Sequence, residues 1–374
     1  MKRRVVVTGL GMISSIGLTL ADSWNALCRK EIGIIPVHSP YIKAAGKIPQ
    51  SFSLESALEN TQQAKNLQNA LFIDATIQAI YDAGYAPETE SEQVKCGVVE
   101  SLLASSTKDL FEPLISSSFD RQFWLKIAGG IAASNAAVIA QAKGPCSSIA
   151  GGLQSIGDAY FTIKRGEADY MVVSGGSPEI DDNLAGFLNG MNILSPDNEI
   201  RPFGRERNGT ILGEGAASIV LEEFEHAKAR GARIYAEVNG FGSKFNVKLE
   251  EKNAAVLKAS GNEEFTPGII FANGSGGEED AVEAEIIKKS YPNAKVSCIK
   301  SSIGHLLSAA GISESVIAIL SLNQKIVPPI LALKDSEFDL NFVTKITKHK
   351  EKCALVHDMR FGTHSSAVTY SLLE

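Results

Sequence analysis

The sequence has few aromatic residues: Phe, Trp and Tyr make up 7% of its 374 residues. A core without large rings must be built from Ala, Val, Ile and Leu, with 33 glycines letting backbones approach closely. Basic residues are in deficit, with 36 Lys and Arg against 43 Asp and Glu, a net charge of −7. That deficit removes the basic footprint needed to bind nucleic acid or an anionic membrane surface. No run of about 18 apolar residues is present, so no membrane span is expected. The stretch Met1–Gly9 imitates the head of a secretory signal, but its apolar run breaks at Thr8 and Gly9 and no small-residue cleavage site follows. It reads as a first strand, and the chain as cytoplasmic. Cysteine is scarce as well. Cys28, Cys96, Cys146, Cys298 and Cys353 are odd in number, scattered and without CxxC spacing, which excludes a disulfide framework and a zinc site. No metal and no cofactor is expected.

What remains is an ordinary globular composition, 44% hydrophobic and 21% charged. The length corresponds to two or three units of roughly 100–200 residues. Short apolar runs alternate with helical patterns. Strands are expected at Arg4–Thr8, Cys96–Glu100, Tyr170–Ser174, Ala217–Glu222, Ile234–Asn239, Gly268–Ala272, Val296–Ile299, Cys353–His357 and Ala367–Leu372. Continuous apolarity in several of them predicts burial on both faces. Helices are expected over Asn66–Ala83, with Gly84 as C-cap, over Ala150–Arg165, and over the almost wholly apolar Ala309–Leu322. Such alternation gives an α/β fold. The order of elements runs twice, before and after about residue 230, with no Pro/Gly/Ser-rich linker. The expected organisation is therefore two halves, 1–230 and 231–374, of one compact body.

Gly9-Leu10-Gly11-Met12-Ile13-Ser14 imitates a dinucleotide fingerprint, but Ser14 takes the third glycine's place and no acidic residue follows at the right distance. A tight strand-to-helix turn is the favoured reading. More telling is Lys143-Gly144-Pro145-Cys146-Ser147-Ser148-Ile149-Ala150-Gly151-Gly152-Leu153-Gln154-Ser155-Ile156-Gly157. A Gly-Pro turn delivers the chain to a helix that opens on small residues, and the helix N-terminal field lowers the pKa of a thiol placed there. Cys146 is thus a candidate nucleophile. The alternative, a small buried residue in a tight turn, is favoured.

This segment resembles the active-site turn of the β-ketoacyl-acyl-carrier-protein synthases, whose pattern ends Ala-Cys-x-x-Gly-x-Gln-x-Ile-Gly-x-Ala. Other stretches agree. Arg4–Gly17 is similar to the family's first strand and turn, and Tyr170–Gly176 to a later strand. Arg201-Pro-Phe-Gly through Leu212-Gly-Glu-Gly215 is similar to the RPF…LGEGA signature, and Lys300-Ser-Ser-Ile-Gly-His305 with Ala309-Ala310-Gly311 to KSxxGHxxGAAG. The resemblance spans essentially the whole chain. It implies a thiolase-like fold, two similar halves packed as α/β/α/β/α layers.

The departures bear on chemistry. The resemblance implies decarboxylative condensation, which needs a thiolate to hold the acyl chain and two histidines to stabilise an enolate. The nucleophile's position falls on Ile149, which has no heteroatom. The first histidine's position falls on Asn273, within Asn273-Gly274-Ser275-Gly276-Gly277. Asn can hydrogen-bond but cannot carry charge. His305 keeps the second histidine's place, and Lys300 and Glu314 the supporting positions. The C-terminal gating loop is altered to Met359-Arg360-Phe361-Gly362-Thr363-His364-Ser365-Ser366, so Met359, Phe361 and Gly362 are the candidate gate and tunnel residues. The connection from Gly240 to Gly268 is short for the family. His38, His226 and His349 read as surface residues, and His357 and His364 as hydrogen-bonding residues beside the loop. Glu278-Glu279-Asp280 reads as a helix cap or a solvated run.

A family member without nucleophile and first histidine resembles the chain-length factor, or ketosynthase-β subunit, of type II polyketide systems. Ala150-Gly151-Gly152-Leu153 is similar to that group's Gln-Ala-Gly-Gly-Leu, with Ile149 in place of Gln. This implies a heterodimer with a catalytic ketosynthase, with the acyl carrier protein docking mainly on that partner. The readings left open are an atypical active synthase using Cys146, an acyltransferase or hydrolase using Ser147 or Ser148, and a structural scaffold.

Overall fold

The computed structural model describes residues 3–54, 66–103, 105–119, 123–245, 259, 265–360 and 364–373. Its major sheet is built from β1 (Val5–Ile13), β2 (Cys96–Ser101), β3 (Cys146–Ile149), β4 (Tyr170–Gly176), β5 (Ala216–Glu223), β6 (Ala236–Phe245), β7 (Ile269–Phe271), β8 (Lys295–Ser297), β9 (Asn341–Phe342), β10 (Cys353–Arg360) and β11 (His364–Ser371). The first five strands lie side by side as β3-β2-β4-β5-β1, and the later ones as β8-β7-β10-β11-β6, with β9 outside β8. The two orders are the same if each set is numbered along the chain. Strand directions also repeat. The first two pairings in each set are parallel and the last two antiparallel. Val5–Val7 of β1 pairs with Ala236–Val238 of β6 and joins the sets. The duplication expected from element order is therefore present in the backbone pairing.

Alternating side chains place the strands between layers. Val99, Val173, Ile219 and Leu221 face an inner core, while Val98, Val172 and Val220 face outward. In the second set Ile269, Phe271 and Val356 face the inner core, and Ile270 and Leu355 face outward. The inner core is filled by α3 (Gly152–Lys164) and α5 (Ala310–Gln324), and the outer faces are covered by α1 (Leu67–Ala83) with α2 (Ile131–Ile139) on one side and α4 (Glu279–Ser290) on the other. This is the α/β/α/β/α layering. Every residue from Ala310 to Leu322 is buried, as its apolarity predicted. The Asn66 side chain caps α1 by accepting from Asn69 N–H at 2.8 Å, and Gly84 ends it at φ 60°.

Three expectations are corrected. Gly9 and Gly11 form no strand-to-helix turn, because β1 continues to Ile13. A Cβ on Gly9 would lie 2.2 Å from the Ala79 carbonyl oxygen, and one on Gly11 2.2 Å from that of Ala75, so these glycines seat α1 against the strand. The Gly144-Pro145 turn does not lead straight into a helix: Cys146–Ile149 form β3, and the helix expected from Ala150 begins at Gly152. His349 is buried, with its Nε2 at 2.9 Å from the Ser321 carbonyl. No helix among the described residues is long and apolar enough to cross a membrane.

Candidate functional site

The two signature stretches meet. His305 N–H donates to Ile211 O at 2.7 Å, and Gly213 N–H to His305 O at 3.0 Å. A Cβ on Gly213 would lie 2.2 Å from the Ile303 carbonyl oxygen. Small residues also bring the starts of α3 and α5 together, where Gly152 and Gly311 touch. A narrow pocket opens at this junction. Gly151, Thr210, Ser275, His305 and Met359 line it, with Leu103, Ile193, Leu212 and Leu307 as its apolar walls and Glu279 and Asp358 as its carboxylates.

His305 Nδ1 accepts from Leu307 N–H at 3.0 Å, which leaves Nε2 as the protonated nitrogen. Burial, with the Lys300 charge added, pushes its pKa down to about 3, so the ring is neutral. Lys300 lies behind it and donates to the Asn273 carbonyl at 2.6 Å and to Glu314 Oε1 at 3.2 Å. Burial pushes Glu314 up to about 7 against the pull of that ammonium.

The turn carrying Asn273 is held by two buried carboxylates. Glu283 accepts from the N–H groups of Asn273 at 2.7 Å and Gly274 at 2.9 Å, and His357 Nδ1 lies 2.7 Å from it. Asp280 accepts from Phe203, Ser275 and Gly276 N–H at 2.7, 2.9 and 3.1 Å. Asp280 thus neither faces solvent nor caps the helix, and burial pushes it up to about 7. The signal missed in the sequence is spacing. Asp280 and Glu283 are three apart on α4, on the face that also buries Ala284 and Ile287. The backbone of the Asn273–Gly276 turn is therefore fully held by buried carboxylates. Asn273 is 1% exposed and its amide finds no protein partner.

Ile149 ends β3 and packs against the inner core. Cys146 is not the small buried residue expected. It is exposed at the start of β3, six residues before α3, outside the helix-terminal field. Partial burial and the Glu100 carboxylate raise its pKa, the opposite of an activated thiol. Ser147 and Ser148 share this strand, and neither lines the pocket. Met359 is buried in the pocket wall. Phe361 and Gly362 lie outside the described residues, as does most of the segment between Gly240 and Gly268. His357 and His364 are hydrogen-bonded, the latter to Ser243 Oγ at 2.8 Å. Among the described residues no three His, Cys, Asp or Glu side chains are grouped to hold a metal.

The sequence and fold have relatives. The description "Beta-ketoacyl synthase, N-terminal domain" matches residues 2–227, and "Beta-ketoacyl synthase, C-terminal domain" matches residues 235–334. The 3-oxoacyl-[acyl-carrier-protein] synthase 2 of Rhizobium meliloti is 30% identical, with 98% of each chain covered. The protein of that name from Vibrio cholerae is 32% identical, with 99% of each covered. Among solved structures, the ishigamide ketosynthase/chain length factor superposes with a TM-score of 0.89 at 22% identity, over 100% of both chains.

Proposed function

Because the chain belongs to the β-ketoacyl synthase family, we propose that it is a non-condensing, chain-length-factor-like subunit that pairs with a cysteine-bearing ketosynthase. The observation that carries this reading is Ile149. The position that needs a thiolate holds a half-buried aliphatic side chain packed against the core, and the nearest cysteine along the chain has a raised pKa. Asn273 removes a second requirement, since it cannot act as a charged donor to an enolate oxygen.

Support for a partner comes from the sheet edge. β8 is covered by β9, but β3, its counterpart, has no strand beyond it among the described residues. Uncovered edges invite strand pairing. The helix packed against β3, Ile131–Ile139, leaves Val138 76% exposed, and the two helices before it leave Ile115 and Trp124 81% and 70% exposed. Large apolar side chains left exposed in this way are available to an interaction face. In this reading residues 1–230 and 231–374 form two halves of one body, and the partner supplies the cysteine and both histidines. This chain walls the tunnel in which a polyketide or polyene chain grows on an acyl carrier protein, which docks mainly on the partner. Each methylene that the wall admits or excludes is worth about 0.8 kcal/mol. Met359, Phe361 and Gly362 belong to the altered gate.

The names of the curated relatives favour a second reading, an active synthase; Cys146 would then be its candidate nucleophile. Size-exclusion chromatography with light scattering, after expression with and without the neighbouring synthase, separates the two readings. A one-to-one complex is expected. A well-behaved homodimer that ignores the synthase would overturn the proposal.

A further inference from the structure

At the opposite end of α5 from the candidate site the surface is basic, although the chain carries a net charge of −7. The helix starts at Ala310, beside the contact of Gly311 with Gly152, and its 15 residues end at Gln324, about 22 Å away. Beyond Gln324 the chain forms a two-stranded ribbon, Ile326–Val327 against Thr347–Lys348, with Ile326 opposite Lys348. A groove of about 640 Å³ opens there, rimmed by Lys325, Lys348, Lys350 and Lys352, with Ile326 and Leu372 as its apolar lining. Lys325, Lys348 and Lys350 are exposed, and among the described residues no carboxylate pairs with them. Glu351 lines the same groove but is bound to Lys295 at 2.6 Å. Setting Glu374, two residues beyond Leu372, against the groove still leaves its lysines in excess. The lysines also stand on an anchored backbone. Between Lys348 and Lys350 the buried His349 donates its Nε2–H to the Ser321 carbonyl at 2.9 Å and accepts at Nδ1 from Glu351 N–H at 3.1 Å, while its own N–H donates to the Lys325 carbonyl at 3.1 Å.

We propose that this groove binds a small phosphomonoester with an apolar body. Lysine ammoniums are compact point charges, the form in which lysine holds phosphate. Alternation along the strand puts Lys348 and Lys350 on one side, about 6.6 Å apart at the backbone, so both long side chains reach one phosphate. A dianion there offsets the mutual repulsion of the ammoniums. Ile326, Leu372 and the lysine stems take the apolar body. The volume falls in the range of roughly 300–1,000 Å³ that small-molecule sites occupy. This groove shares no residue with the pocket beside His305. The inference therefore stands or falls independently of whether the chain condenses.

The test is calorimetric titration of the purified chain with 1-naphthyl phosphate, and in parallel with 1-naphthol, inorganic phosphate and poly-L-glutamate. Saturable binding of naphthyl phosphate is expected, about tenfold or more tighter than 1-naphthol or inorganic phosphate, because the ester uses both the lysines and the apolar lining. Raising sodium chloride from about 0.05 M to about 0.5 M should weaken it. Lys348→Gln and Lys350→Gln should each weaken it about fivefold, and Lys108→Gln, an exposed lysine elsewhere, should not. Melting curves establish that each variant is folded, and Lys325→Gln provides a further reading if one is not. No saturable binding, or affinity untouched by the folded variants, would overturn the proposal. So would inorganic phosphate binding as tightly as the ester, or poly-L-glutamate binding more tightly, which would make the groove a face for an acidic protein instead.

Discussion

Glu283→Ala is the perturbation that most directly probes how the candidate site is built. The carboxylate is 1% exposed and is shared by three donors: Asn273 N–H, Gly274 N–H and His357 Nδ1. Truncation strands all three in a place that water reaches poorly. A buried donor left without a partner costs about 1–3 kcal/mol. A water molecule entering the vacated space recovers part of this, so the expected loss of stability is about 3–5 kcal/mol. Glu285→Ala serves as control. It lies on the same helix but is exposed, and surface changes of this kind stay within about 0.5 kcal/mol. Urea denaturation followed by circular dichroism gives both values, with the slope showing whether the unfolded state has changed. A loss below about 1 kcal/mol at unchanged slope would refute the claim that Glu283 holds the Asn273 turn.

Other outcomes follow from the same structure. Asp280 and Glu314 sit at about 7 when folded, above the roughly 3.9–4.3 of unfolded carboxyls. The folded chain therefore binds more protons across that window, and stability falls as pH rises through it. Denaturation at about pH 5.5 and about pH 8 should show the higher stability at the lower pH, with Glu314→Gln reducing the difference; a rise with pH would contradict the assignment. Gly11→Ala forces a Cβ to 2.2 Å from the Ala75 carbonyl oxygen and should cost about 3 kcal/mol. Gly84→Ala meets open space at φ 60° and should cost only about 1 kcal/mol, so equal losses in thermal melts would refute the packing argument. Ile115→Asp with Val138→Asp should leave the isolated chain folded and abolish the complex in light scattering; an intact complex would move the interface elsewhere. Cys146 should react with iodoacetamide more slowly than free cysteine at neutral pH, and faster reaction would restore it as a nucleophile candidate.

Much of the fold was legible because strands buried on both faces leave continuous apolar runs, as at Tyr170–Ser174, and because Asn66 and Gly84 punctuate their helix. The repeated topology was legible only as element order. Strand pairing is a backbone property and needs no repeated side chains. Local patterns misled where tertiary contact decided the outcome. Gly9 and Gly11 look like turn residues, yet they are strand positions thinned for α1. Cys146 looks like a helix-start residue, yet parallel pairing with β2 draws it into a strand. Asp280 looks solvated in its acidic run, yet three backbone donors converge on it. Ile149 and Asn273 stood out in the sequence at once, because the absence of a nucleophilic atom in one and of a chargeable group in the other needs no coordinates. Thr210, Glu279 and Asp358 were not, since they are far apart in sequence and meet only around the pocket.

The central claim is that this chain carries no acyl group of its own. Intact-protein mass spectrometry after incubation with an acyl-carrier thioester tests it directly. The expected result is an unmodified mass for this chain, alone or in complex, with the acyl group found on the partner's cysteine. An acyl adduct on this chain that disappears in Cys146→Ala would contradict the account.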